Sequence, residues 1–269
     1  MSGEHRCDLE RRTKALILAA GEGTRLRPMT LDRPKPMLLL AGKPLLEHLV
    51  VWLRDQDVRE IAVNLHCHPE AITGHFGDGS GWDVHLVYSH EKTLLGTAGA
   101  AKKLSGFLDT TFLVVYGDLL TNLRLAPLLD YHRRCRALVT VALYQVANPW
   151  ECGLVALDGE GRVRRFVEKP PRDQVFTDLA NAGVYVCEPA LLDHIPPEQP
   201  CDFGRDVFPL LLARGLPVFG FPISDYLLDI GTPEKYAQAQ RDLEGGKLGP
   251  PATIGPQPPI HASQTQIPT

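Results

Sequence analysis

A small set of charged side chains in this sequence has the types and spacing that phosphate chemistry needs. Lys14-Ala-Leu-Ile-Leu-Ala-Ala-Gly-Glu-Gly-Thr-Arg-Leu-Arg-Pro-Met-Thr30 runs on to Arg33-Pro-Lys-Pro36. Gly21 and Gly23 permit a sharp turn whose backbone N–H groups cradle anions. Arg25 follows four residues after Gly21, and Lys35 stands between Pro34 and Pro36, which stiffen its backbone. This combination reads as a phosphate grip. Two carboxylates supply the opposite charge. Asp118 ends the apolar run Phe112 to Tyr116, and Asp229 precedes the helix-start signal Thr232-Pro-Glu. A carboxylate at the carboxyl end of a buried parallel strand, as at Asp118, lies where open α/β sheets bind ligands, and Asp229 reads as standing at another strand end. Two of them from remote strands suit one Mg²⁺, which takes one or two carboxylates and fills its shell with substrate oxygens.

Two familiar phosphate motifs are excluded. The dinucleotide fingerprint needs a third glycine where this chain has Leu26, and no Gly-Lys-Ser/Thr marks a Walker A loop. The string Gly-Glu-Gly-Thr-Arg-Leu-Arg-Pro-Met-Thr with Pro-Lys-Pro downstream instead resembles the signature of the sugar-phosphate nucleotidyltransferases. The resemblance covers residues 13 to 243 and implies a role for each matching position. Leu18, Ala20, Gly21, Gly23 and Thr24, with Gly96 and Thr97 of Leu-Gly-Thr-Ala, would bind the nucleotide. Gly153 of Glu-Cys-Gly, Glu168 and Lys169 of Val-Glu-Lys-Pro, and Asn181 would bind the sugar phosphate. Arg25, Lys35, Asp118 and Lys169 would carry catalysis, and Asp118 and Asp229 would ligate Mg²⁺.

The elements that must position these residues are legible as periodicity. Ala15 to Ala19, Ile61 to Leu65, Val84 to Tyr88 and Phe112 to Tyr116 are apolar runs of strand length. Pro44 opens a helix to about Asp55 whose stripe is Leu45, Leu46, Leu49, Val50 and Leu53. Thr97 is placed to cap a helix of small residues, with Gly96 and Gly99 allowing close packing against the sheet. Later strands are expected at Leu138 to Tyr144, at Gly153 to Leu157 and Val163 to Val167 around Asp158-Gly159, and from Asn181 to Val186. Helices are expected at Ala126 to Cys135, Asp206 to Arg214 and Pro233 to Leu243. Strand–helix alternation gives an α/β class. The resemblance implies a single Rossmann-like nucleotidyltransferase domain with a mainly parallel mixed sheet flanked by helices.

Composition bounds what such a domain would meet. A net charge of −4 in 269 residues leaves no basic footprint for nucleic acid. No apolar run approaches bilayer length, so no membrane is expected as a partner. The six cysteines, at 7, 67, 135, 152, 187 and 201, contain no Cys-x-x-Cys and read as reduced thiols, which with a charged N-terminus suggests the cytoplasm. His66 and His68 lack a third ligand in sequence and are not read as a metal site. Residues 1–12 read as a flexible lead, 13–243 as the catalytic domain and 244–269 as a Pro/Gly-rich disordered tail.

The expected reaction is Mg²⁺-dependent transfer of a nucleotidyl group from a nucleoside triphosphate to a sugar 1-phosphate, with pyrophosphate released. Leu95-Gly-Thr-Ala-Gly99 is more similar to guanylyltransferases acting on mannose or heptose 1-phosphates than to thymidylyltransferases. GTP with mannose 1-phosphate is therefore the expected pair. A glucose-1-phosphate thymidylyl- or uridylyltransferase is the alternative, and a non-catalytic nucleotide-sugar-binding regulatory subunit is the alternative from another class. Homo-oligomerisation is left open.

Overall fold

The computed structural model of the chain describes residues 13–248. The expected lead and the part of the expected tail from 249 onward lie outside the described residues. The elements, in order, are β1 (Lys14–Leu18), α1 (Leu45–Arg54), β2 (Glu60–Leu65), α2 (Pro69–Phe76), β3 (His85–His90), α3 (Gly96–Lys103), β4 (Phe112–Tyr116) and β5 (Leu119–Thr121). They continue with α4 (Leu125–Cys135), β6 (Val139–Gln145), β7 (Gly153–Leu157), β8 (Val163–Glu168) and β9 (Leu179–Cys187). A π turn (Phe203–Val207) then leads into α5 (Phe208–Ala213), followed by β10 (Val218–Pro222), β11 (Leu227–Asp229) and α6 (Pro233–Glu244).

The central sheet runs β8-β7-β9-β4-β1-β2-β3, with β6 paired to β9 and β10 to β6. β1 lies parallel between β2 and β4, and β3 extends the parallel half. β9 joins β4 antiparallel, which turns the sheet mixed at the point where simple alternation ends. The expected α/β, Rossmann-like architecture is the one observed. Its apolar strands are buried on both faces, as a doubly covered sheet requires. Ala15 and Ile17 of β1 face one cluster with Leu46, Leu49, Ile72, Phe76 and Leu128 of α1, α2 and α4. Leu16 faces the other, with Ala98, Ala101, Phe203, Phe208 and Leu211.

Local differences have physical reasons. Pro44 is the residue before α1 rather than its first, because Lys43–Pro44 pairs briefly with Leu39–Leu40. Thr97 does not cap α3 with its side chain: its hydroxyl donates to Asp202 Oδ2 at 2.8 Å and accepts from Phe203 N at 2.9 Å. Gly96 and Gly99 pack tightly, but against the loop 199–201 rather than the sheet. A methyl on Gly96 would lie 2.5 Å from Cys201 O and one on Gly99 2.8 Å from Gln199 O. The helix expected from Asp206 is the π turn followed by the short α5, and strand β10 was not anticipated. Packing also extends past the expected boundary at 243. Lys247 pairs with Asp242 at 2.7 Å, and Leu248 packs on a small cluster of Leu40, Leu45, Leu120, Ile230 and Ala239.

Candidate active site

A cavity of about 370 Å³ opens at the carboxyl ends of β1 and β4. It is lined by Leu18, Ala20, Gly21, Gly23 and Thr24, by Arg25, Lys35 and Asp118, and by Gly96 and Thr97. The chain makes this shape by interrupting β1 with glycine. Gly23 is left-handed at φ 63, and a methyl there would stand 3.0 Å from Lys35 Cβ. Its carbonyl accepts from Thr30 Oγ1 at 2.9 Å and from Leu26 N at 2.9 Å, closing a 3₁₀ turn over Thr24–Leu26. Gly21 has no neighbour within 4 Å of where a methyl would be, so its face is free for a ligand. Gly117 N donates to Leu18 O at 2.9 Å and locks the ends of β1 and β4 together.

The two aspartates are brought side by side by a separate ribbon. β11 pairs antiparallel with β5, setting Asp229 opposite Leu119, and Ile230 N donates to Asp118 O at 2.8 Å. Thr232 then caps α6 by accepting from Lys235 N. Lys35, only 8% exposed, donates to Asp118 Oδ2 at 2.5 Å. Burial acts to raise the Asp118 pKa, but the Lys35 ammonium, helped by Arg25, holds it below the ordinary range. Asp229 goes the other way. Burial, then the Asp118 charge, push its pKa up, with Lys235, Lys35 and Arg25 offsetting part of the rise. Lys235 Nζ approaches Asp229 Oδ2 at 3.5 Å, while Oδ1 is buried with no hydrogen-bond partner. A methyl on Gly231 would lie 3.2 Å from Arg25 Nη2 and 3.3 Å from that same Oδ1. Arg25 and Asp229 therefore approach each other across a bare glycine.

Glu168, Lys169, Gly153 and Asn181 form a second group beyond this cavity. Lys169 follows the end of β8 in a left-handed conformation, with Nζ 3.8 Å from Glu168 Oε1. Burial is the main cause raising the Glu168 pKa, against the Lys169 charge. A methyl on Gly153 would fall 2.5 Å from Glu168 Oε2, so this glycine makes room for the Glu168 carboxylate. Asn181 spends its polar atoms on a bulge in β9: Nδ2 donates to Tyr185 Oη at 2.7 Å and Oδ1 accepts from Gly183 N at 2.9 Å. Tyr185 in turn donates to Tyr116 Oη at 3.1 Å, and Tyr116 lines the cavity. Asn181 is thus linked to the cavity through two phenols.

Sequence reading missed Asn64, Glu91, Tyr116 and Lys235. Asn64 interrupts the apolar run of β2, a polar residue where a doubly buried strand should have none, and that was a usable signal. Glu91 sits in a polar segment and Lys235 in a helical first turn, where such residues are ordinary. His66 Nδ1 bonds Glu91 O at 2.8 Å and His68 faces Glu70, so each has a local partner. Among the described residues no three His, Cys, Asp or Glu side chains cluster as a metal cage, and no helix is long and apolar enough to cross a membrane.

Comparison with known proteins agrees with this geometry. The sequence model of the nucleotidyl transferase family matches residues 14–246. Mannose-1-phosphate guanylyltransferase of Mycobacterium tuberculosis is 40% identical over 246 residues, covering 90% of this chain and 67% of that protein. UTP–glucose-1-phosphate uridylyltransferase of Synechocystis is 37% identical over 244 residues, covering 86% and 63%. The chain thus spans about two thirds of the length of these curated relatives. The crystal structure of HddC from Yersinia pseudotuberculosis, complexed with GMP-PN, superposes with a TM-score of 0.74 at 26% identity, covering 86% of this chain and 99% of that one. A glycine turn after a buried strand, the cations it presents and a match over nearly the whole described chain lead to one conclusion: the chain belongs to the nucleotidyl transferase family, among its sugar-phosphate nucleotidyltransferases.

Proposed function

We propose that this chain transfers a guanylyl group from GTP to mannose 1-phosphate, releasing pyrophosphate and forming GDP-mannose. The observation that carries the reaction class is the convergence of Arg25, Lys35, Asp118 and Asp229 on one cleft. A sugar-phosphate oxygen attacks the α-phosphorus, a new P–O bond forms, and the bond to the β-phosphate breaks in line. The nucleophile is already anionic, so the protein's task is to hold two polyanions together and neutralise moving charge. The glycine turn holds the triphosphate, and Arg25 holds the leaving phosphates. Lys35 and Lys169 serve the sugar-phosphate side, with Glu168, Gly153 and Asn181 around the sugar.

The donor set fits Mg²⁺. Asp118 stands close enough for its charge to help push the Asp229 pKa up, and Asp229 Oδ1 is buried without a partner. Hard oxygen donors of this kind, one or two per ion, suit Mg²⁺ with substrate oxygens completing its shell. When bound there by Asp118 and Asp229, it would neutralise charge on the phosphates. All these cations and carboxylates are present, which argues for an enzyme over a regulatory subunit.

GTP is favoured by the Leu95-Gly-Thr-Ala-Gly99 segment and by the guanylyltransferase relative, whereas the uridylyltransferase relative makes UTP with glucose 1-phosphate the competing pair. Pyrophosphate release with GTP, ATP, CTP, UTP and dTTP against mannose and glucose 1-phosphates tests both levels. GTP with mannose 1-phosphate should lead. Better turnover of UTP or dTTP with glucose 1-phosphate overturns the pair, and no release with any pair overturns the reaction. Chelation of divalent cations should abolish turnover, and restoration by Mg²⁺ checks the metal.

A further inference from the structure

We propose that Lys235 is an exchangeable counter-ion: it neutralises Asp229 until a divalent cation takes that carboxylate, and it then binds the phosphate of the incoming sugar 1-phosphate. This rests on the proposed nucleotidyl transfer and its metal site, and adds a residue that neither of them uses. Each of the two aspartates is matched by one lysine. Lys35 Nζ meets Asp118 Oδ2 at 2.5 Å, and Lys235 Nζ meets Asp229 Oδ2 at 3.5 Å. The two pairs differ in how firmly they are held. The Lys35 side chain is 10% exposed and rises from a turn between Pro34 and Pro36, which keeps it in place. The Lys235 side chain is 40% exposed, its contact is long, and a lysine stem is flexible enough to swing.

The helix that carries Lys235 has no use for its charge. Lys235 stands in the first turn of α6, three residues after the cap Thr232, and its own N–H donates to Thr232 Oγ1 at 3.4 Å. The amino end of a helix favours negative charge, which Glu234 supplies in the same turn, and disfavours an ammonium. What the position does offer is reach. Asp229 lies on one side of it, and the residues proposed to bind the sugar phosphate lie on the other. Cys152 precedes Gly153, and its carbonyl accepts from Lys169 N at 3.0 Å. Burial raises the Cys152 thiol pKa, the Tyr144 hydrogen bond and then the Lys235 charge lower it, and Asp229 raises it again. Both ends of the Lys235–Asp229 pair therefore lie close to this segment, and Lys235 stands between the carboxylates and the sugar side.

The exchange follows from charge. Asp229 is buried beside Asp118, and Lys235 offsets part of that cost. A divalent cation on Asp229 satisfies the same carboxylate with twice the charge and repels the ammonium next to it. The sugar 1-phosphate brings negative charge to the same place, and an ammonium donates to phosphate oxygens in charge-assisted bonds. Lys235 then screens the approach of one anion to another without gaining or losing a proton.

Mn²⁺ titrated against the protein alone, with free Mn²⁺ read by electron paramagnetic resonance, tests the first half. Lys235→Met keeps an apolar stem and removes the charge, and it should bind Mn²⁺ about threefold or more tighter than wild type, because the competing cation is gone. Pyrophosphate-release kinetics at saturating Mg²⁺, with the substrate pair that turns over best, tests the second half. In Lys235→Met the KM for sugar 1-phosphate should rise about tenfold or more, while kcat and the KM for nucleotide change less than about threefold. Lys235→Gln should match Lys235→Met in both measurements, and Lys235→Arg should restore the KM. A lysine that only closes a surface ion pair would move neither constant. Mn²⁺ affinity that is unchanged or weakened in Lys235→Met overturns the inference, and so does a KM rise confined to the nucleotide. Wild-type protein that releases pyrophosphate with no pair refutes the proposed reaction and this role with it. Normal turnover, with Mn²⁺ affinity and sugar-phosphate KM untouched by the substitution, refutes this role alone.

Discussion

Arg25 is exposed on a turn, makes no packing contribution to either large core cluster, and reaches towards Asp229 across Gly231. Arg25→Ala should therefore leave the melting temperature nearly unchanged and lower kcat by about a hundredfold, on the order of 3 kcal/mol of transition-state stabilisation. Steady-state kinetics with a parallel melting curve checks both halves, and near-normal kcat sinks the assignment. The two aspartates should behave oppositely to each other in stability. Asp118 is held below its ordinary pKa of 3.8, so its charge stabilises the fold above that pH, and the benefit fades as pH falls through the depressed value. Asp229 is raised above 3.8, so its charge at neutral pH is a net cost to the metal-free protein. At neutral pH without divalent cations, Asp118→Asn should melt lower than wild type and Asp229→Asn higher. Added Mg²⁺ should raise the wild-type midpoint and leave both variants near their starting values. Combined in one protein, the two changes should cost less activity than the sum of each alone, because they act on one ion.

The start of α3 is the element with least freedom. Gly96 has φ 71, and a methyl there would meet the Cys201 carbonyl at 2.5 Å, so Gly96→Ala meets both backbone strain and collision. A loss of about 1–3 kcal/mol in denaturant titration is expected, with weaker nucleotide binding because the wall of the cleft shifts. The motif Leu-Gly-Thr-Ala announced this segment, but not the reason for its glycines, since the partner loop lies a hundred residues on in the chain. The same division holds elsewhere. β1 and β4 were readable because burial on both faces leaves only apolar residues, and Asp118 and Asp229 were readable as strand ends. β10 was not, because Gly220 and Pro222 carry the sequence signal of a loop. In the fold Gly220 is small for a packing reason: a methyl would strike Leu143 and Leu157. Asn64 stood out as a polar residue in β2, but its pairing with Glu91, Nδ2 donating to Oε1 at 2.8 Å, was hidden, because it joins two strand ends whose proximity only the parallel order β1-β2-β3 creates. The bulge held by Asn181 depends likewise on a register shift between β9 and β6.

At the scale of the whole molecule, the end of the sheet far from the cleft carries its own polar lock. His132 of α4 is 1% exposed, bonding Thr140 Oγ1 at 2.8 Å and Glu188 Oε1 at 3.1 Å, and Thr111 donates to the same oxygen. Burial acts to raise the Glu188 pKa, yet these bonds bring it below its ordinary 4.5. Its contribution is complete above that pH and disappears as pH falls through the depressed value. Glu188→Gln should thus melt below wild type at pH 7, and the gap should close in acid; a gap independent of pH would refute the charge's part in it. The opposite end is closed by α6. Tyr236 Oη donates to Leu39 O at 2.6 Å, Gln240 Nε2 donates to the same carbonyl at 2.9 Å, and Ala41 N donates to Gln240 Oε1 at 2.9 Å. These ties join residues about two hundred positions apart, and they anchor the ribbon that brings Asp229 to Asp118. Chains are synthesised from the amino end, and long-range contacts wait for their second partner. The glycine turn leaves the ribosome early, with Arg25 and Lys35 already encoded, while the second carboxylate emerges near the end of the described chain. On the proposed reading of Asp229, the cleft is completed only when the last part of the described chain has been made.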